Sequence, residues 1–237
     1  MYNTFDSVKP LKKQFRSDFS FTKHFGAASL ADLPPAFTRD NAYEIKDQKH
    51  TKFCVGFAIS EAAERHEGVV LDPLYPIKNI QVLQGIELPY RGADIRTGMM
   101  AGRLGFIEKK DAPFSLDTQS PDFIADPKNW DPKYDQMAKA HAQGAFFEID
   151  GDYDAFDNFR SAIYTHNQPD KDRKNNIVFG IKFSVMWSDL QNGIIPDKYD
   201  PNQGFSFHAM DFIDWTTING KLYGRIQNSS GLGGTYS

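Results

Sequence analysis

Apolar residues recur with a helical period early in the chain and gather into β-branched and aromatic runs late in it. After Cys54, residues Val55, Ala58, Ile59 and Ala62 fall at i, i+3, i+4 and i+7. That is the spacing of one buried helix face. Glu61, Glu64 and Arg65 are expected on the opposite, solvent side, and Gly68 suits the C-terminal cap. Cys54 then sits at the helix N-terminus. Asp94 to Arg103, ending near Gly105, and Asp154 to Thr165 predict two more helices. Pro73, Pro76 and Pro89, with Gly85 and Gly92, make residues 72–92 read as loop with short elements. Residues 111–135, rich in Pro, Asp and Ser, read as a crossing between lobes. Phe146–Ile149, Ile177–Phe183, His208–Ile213 and Leu222–Gln227 predict strands. Helices before strands imply an α+β protein with a helical lobe and a sheet lobe.

Leu33-Pro34-Pro35 gives the first turn signal. Residues 1–32 are polar with scattered Phe15, Phe19, Phe21 and Phe25, which reads as a leader leaning on the body. The expected division is a leader or short propeptide-like segment at 1–32 and one catalytic domain at 33–237. Within the latter the helical lobe spans 45–125 and the β lobe 126–237.

The chain has 237 residues, 40% of them hydrophobic and 24% charged, an ordinary globular composition long enough for a sizeable core. A net charge of −4 with mixed signs gives no basic face for nucleic acid or an anionic membrane. No apolar run approaches the roughly 20 residues that cross a bilayer, and no signal peptide is visible. The single cysteine rules out an intramolecular disulfide. Together these point to the cytoplasm or another reducing compartment, and a virion-associated protein would look the same.

A thiol at a helix N-terminus is stabilised as thiolate by the partial positive charge there, so Cys54 is a sensible nucleophile. A small buried apolar residue is the plainer role for a lone cysteine. Its surroundings favour the first. Gln48 stands six residues before Cys54-Val55-Gly56-Phe57-Ala58; downstream come Ser206-Phe207-His208-Ala209-Met210 and Ile226-Gln227-Asn228-Ser229. These segments, with Leu33-Pro34-Pro35 and Gly92-Ala93-Asp94 in the same order, resemble the papain-like cysteine peptidases over residues 33–234. The resemblance implies a two-lobe fold, with a helical N-terminal lobe, an antiparallel β-barrel-like C-terminal lobe and the cleft between them. It implies Cys54 as nucleophile, His208 as base, Asn228 as orienter and Gln48 as oxyanion donor. It implies a polypeptide substrate whose backbone pairs with Gly92 and Ala93, and a specificity pocket shaped near Ser206 and Ala209. It calls for no cofactor or metal. It also raises self-inhibition by residues 1–32.

Several positions depart from the family. Thr51-Lys52-Phe53 replaces Cys-Gly-Ser before the nucleophile, Val55 follows it in place of Trp, and Ser230 replaces the Trp that covers the His–Asn pair. Trp187 or Trp215 would then supply the cover. Two other readings stay open: a papain-like scaffold that binds peptide with little or no catalysis, and a thioester-using acyl transferase. Asp150-Gly151-Asp152-Tyr153-Asp154 looks like part of a calcium loop, but Ala155 and Ser161 stand where that loop needs Gly and Glu. His24, His50, His66, His141 and His166 show no ligand spacing.

Overall fold

The computed structural model describes residues 19–21, 26, 28–39, 44–149, 155–167, 176–183, 194, 206–229 and 235–236. Helix α1 (Cys54–Glu67) is its pivot, packed against both neighbouring helices and the sheet. Glycine makes that packing close. A Cβ added at Gly56 would stand 2.2 Å from Ile77 Cδ1, and one at Gly98 would stand 2.3 Å from Val55 Cγ1. The helix stops at Gly68, whose positive φ lets its N–H turn back to Glu64 O at 2.7 Å.

A second helix, α2 (Tyr75–Gln84), occupies the stretch expected to be loop. Its glycine and one of its prolines are the punctuation of a helix and not of its absence. Pro76 lies in the first turn, where a missing N–H costs nothing, and Gly85 caps the end in the left-handed region. Helix α3 (Ile95–Arg103) starts as expected, with Asp94 Oδ1 accepting the Thr97 N–H at 2.8 Å. Residues after it wind through α4 (Pro121–Ala125) and α5 (Lys133–Ala138). Ile124, Ala125, Trp130 and Ala138 bury themselves in the same core as Phe53, Cys54, Ile77 and Ile80.

Near the start, β1 (Phe19–Ser20) pairs in parallel with β2 (Phe147–Glu148). Helix α6 follows at Ala155–His166. The main sheet holds β3 (Ile177–Phe183), β4 (Ser206–Ile218), β5 (Lys221–Gln227) and β6 (Thr235–Tyr236). All its pairings are antiparallel, in the order β3-β4-β5-β6. The expectation of a barrel-like lobe is corrected: β3 and β6 form two edges, and the sheet is open among the described residues. Closure is unnecessary because helices cover the sheet, with α1 and α6 both packed on β4. The second core gathers Met210, Phe212 and Trp215 with Ala162 and Ile163 of α6. Phe21 joins it, and Ser161 Oγ donates to Ala28 O at 3.1 Å. Further on, Trp215 Nε1 donates to Pro34 O at 3.0 Å while its ring stacks on Phe37. Phe21, Ala28, Pro34 and Phe37 of the early chain therefore lie on the sheet lobe.

Candidate active site

Three chain segments meet at the junction of α1 and the sheet. Cys54 is the first residue of α1, and no side chain caps that end of the helix. Its N-terminal N–H groups are left to favour negative charge. His208 lies on β4, and Asn228 directly follows β5. His208 Nε2 donates to Asn228 Oδ1 at 2.6 Å. Once Nε2 carries the proton in that bond, Nδ1 is the ring nitrogen left to accept one.

Cys54 is 0% exposed, and His208 and Asn228 are 2% exposed each. The His–Asn pair is therefore buried, whichever side chains cover it. Trp215 is turned to Pro34 and Phe37, and Ser230 and Trp187 lie outside the described residues. Burial pushes the His208 pKa down to about 4, against the upward pull of Asn228. An imidazole so placed takes up a proton most readily when a nearby group gives one up, leaving an anion beside it.

Gln48 is held on all sides. Its N–H donates to Ser229 O at 2.8 Å, its Oε1 accepts from Ser229 Oγ at 2.7 Å, and its Nε2 donates to Thr51 O at 3.0 Å. An amide nitrogen has two hydrogens, and the bond to Thr51 O uses one of them. Ser229 is the site residue that sequence reasoning missed. Its adjacency to Asn228 was the available signal.

The other expected positions are accounted for. Ala93 is fully buried in the same cluster as Cys54. Gly92 precedes it with φ +86° and accepts from Gln84 Nε2 at 3.3 Å. Ala209 is buried in that cluster too, opposite Gly180 on β3. Ser206 opens β4 across from Phe183, and its side chain lies outside the described residues. Tyr90 packs its ring edge-on against Phe53 at 5.1 Å. Its phenol is pushed well above its ordinary pKa by burial first, then by Cys54 and Asp94. The Asp150–Asp154 segment lies outside the described residues. No group of three His, Cys, Asp or Glu placed to hold a metal occurs among the described residues. No helix there is long and apolar enough to cross a membrane.

One expectation fails outright. Glu61, Glu64 and Arg65 do not face solvent but are buried. Helix α1 runs between the lobes, so its polar side meets β4 and the early chain instead of water. Lys46 pairs with Glu64, Arg65 Nε lies 3.4 Å from Asp211 Oδ2, and Arg65 donates to Gln227. Arg39 donates its N–H to Asp214 Oδ2 at 2.8 Å, and Arg225 pairs with the same carboxylate.

Burial, then the Asp211 charge, pushes Glu61 up to about 8 from an ordinary 4.5. Burial pushes Asp211 up to about 7, against Arg65 and Arg39. An acid with a raised folded pKa keeps a proton that the unfolded chain releases. Its contribution favours folding at acid pH and weakens as pH climbs from about 4 to 8. Glu61→Gln cannot ionise. Its stability relative to the parent should therefore improve by about 2–4 kcal/mol between pH 5 and pH 8, measured by urea unfolding. An unchanged difference at both pH values would place the proton elsewhere.

No protein-family model matches the sequence, and no curated protein matches it either. Solved structures do. Xylellain, a cysteine protease from Xylella fastidiosa, superposes with a TM-score of 0.74 at 18% identity, covering 96% of this chain and 85% of that one. Procathepsin B S9 from Trypanosoma congolense gives 0.59 at 13% identity, over 96% and 76%. The proform of the ragweed pollen allergen Amb a 11, a cysteine protease, gives 0.52 at 14%, over 91% and 61%. At such identities the likeness is one of fold.

Proposed function

Starting from the papain-like fold that this chain has, we propose that it is a cysteine peptidase cleaving peptide or isopeptide bonds by way of a thioester on Cys54. The observation that carries the reading is the buried hydrogen bond between Asn228, just past β5, and His208 on β4, the strand packed against the helix that Cys54 begins. Nδ1 of His208 takes the thiol proton, and the thiolate attacks the carbonyl carbon. The oxyanion is held by the Cys54 N–H and the second Nε2 hydrogen of Gln48. His208 returns the proton to the leaving amine. Water, deprotonated by the same nitrogen, then opens the thioester and regenerates the thiol. Asn228 fixes the tautomer throughout, and a neutral amide suffices because the imidazolium faces a thiolate. Gly92, Ala93, Ser206 and Ala209 are assigned to the substrate, an extended polypeptide.

The full burial of Cys54 favours a second reading, in which the chain as described is held shut. A peptide reaches the thiol only when the cleft walls part. Residues 1–32 are the proposed restraint, anchored on the sheet lobe through Phe21 and Ala28. The test is labelling by an epoxide inhibitor of papain-like enzymes at neutral pH, read by intact mass. Stoichiometric labelling that is lost in Cys54→Ala and slowed at least tenfold in His208→Ala is expected. Labelling no faster than a simple thiol and indifferent to His208, both in the full chain and in a chain beginning at Leu33, would leave only a peptide-binding scaffold. Fast labelling confined to the shorter chain would establish the restraint.

A further inference from the structure

We propose that Arg65 is a positioning residue that locks the helix carrying Cys54 to the strands carrying His208 and Asn228. The inference rests on the peptidase reading above. Arg65 follows Cys54 by 11 residues along α1. At 100° per residue it returns to within about 20° of Cys54 around the axis, some 16 Å deeper. The stripe that presents the thiol thus also carries the guanidinium, with Glu61 between them.

Across from that stripe, Asp211 and Gln227 are register partners on β4 and β5. Arg65 Nε lies 3.4 Å from Asp211 Oδ2, and another of its nitrogens donates to Gln227 Oε1. Asp211 is three residues past His208, and Gln227 is the neighbour of Asn228. One planar fork thereby grips both strands at a single cross-strand pair, where a lysine would offer only a point charge. Asn176 Nδ2 donates to the same Asp211 oxygen, Oδ2, at 2.8 Å and helps to hold the carboxylate.

A second tie lies six residues before α1, where Gln48 and Ser229 exchange two hydrogen bonds. One tie precedes the cleft end of α1 and the other lies some three helical turns along it, so together they bear on both the height and the tilt of the helix on the sheet. With only the first, the far half of α1 loses its polar link to β4 and β5, the helix can shift within its packing, and Cys54 moves relative to Nδ1. A misplacement of about 1 Å costs on the order of 100-fold in rate.

The experiment is Arg65→Met, which keeps most of the stem and removes the fork, beside Arg65→Lys, on the full chain. Turnover of a fluorogenic peptide and alkylation of Cys54 by iodoacetamide are followed across pH, with thermal melts as the record of folding. For Arg65→Met a fall of about 100-fold in kcat is expected, with KM within about threefold. Its alkylation should lose the His208-dependent acid limb and follow a simple thiol near pH 8.5. Arg65→Lys should restore part of the rate. A folded Arg65→Met with parental kcat and parental pH dependence would overturn the proposal, whatever its melting temperature. If that variant does not fold, Gln227→Met carries the same test, with a loss of about tenfold expected and parental kinetics again overturning it. A parent whose Cys54 alkylates like a simple thiol, with or without His208, in the full chain and in a chain beginning at Leu33 alike, would defeat the peptidase reading and this inference together. A parent with fast, His208-dependent alkylation and an unmoved variant would defeat this inference alone.

Discussion

Cys54→Ala is expected to abolish peptide hydrolysis, and Gln48→Ala to lower kcat/KM by about 100- to 1,000-fold. The two losses differ in kind. His208 and Asn228 remain bonded in Cys54→Ala, but imidazole alone leaves no acyl acceptor in the cleft. The variant should fold, since alanine fits where the small buried thiol sat. In Gln48→Ala the thiolate still forms, so epoxide labelling should continue while turnover collapses. The missing amide acts on the oxyanion, and an epoxide develops its charge elsewhere. Ser229 and Thr51 would also lose their Gln48 side-chain partners. A loss of melting temperature that matches the loss of rate would therefore argue for structure over catalysis. Hydrolysis of a fluorogenic peptide, with active sites counted by labelling, checks both variants. Full turnover in purified Cys54→Ala would sink the mechanism.

Lys46→Met should cost about 3–5 kcal/mol of stability. Lys46 and Glu64 are almost wholly buried and paired with each other. Glu64 Oε1 also accepts the Leu71 N–H at 2.7 Å, so its carboxyl joins the early chain, α1 and the segment after it. Burial raises the Glu64 pKa, and Lys46 is the leading influence that pulls it down. Without the ammonium the carboxylate must remain charged and unpaired or take up a proton. Either route penalises the folded state. Adding Glu64→Gln should return much of the loss, because an amide can keep the Leu71 bond without a charge to compensate. Urea unfolding of the two single variants and the double variant reads the coupling. Single variants whose costs simply add would show that the pair does not act as a unit.

These two cases also mark how far the sequence could be read. The residues proposed for catalysis could be picked out because a nucleophile, a base and an orienter need fixed residue types, and Gln48, Cys54, His208 and Asn228 stand in a recognisable order. Helix α1 was legible from its apolar spacing, and β3, β4 and β5 from their composition. The polar side of α1 was not. Glu61, Glu64 and Arg65 are written like a solvated face, and only the lobes closing on both sides of α1 make them interior. Their partners are Lys46, 18 residues before Glu64, and Asp211 and Gln227 on the late strands, so no local window contains the pairing. Helix α2 was hidden for another reason. Pro76 and Gly85 break helices when they fall inside and frame them when they fall at the ends, and the residue names alone do not say which. The open sheet was likewise a matter of what covers its faces, which strand composition does not record.

The placement of the proposed triad along the chain bears on how the protein is made. A ribosome delivers Cys54 early, with α1 and the helices around it, and the strands of His208 and Asn228 much later. Until β4 and β5 pair and dock on α1, the thiol has neither its base nor its covering wall. These contacts join distant parts of the sequence and should form slowly. On the peptidase reading, a nascent chain is therefore harmless to its neighbours during synthesis, and the proposed capacity to cut another protein arises only with the last strands.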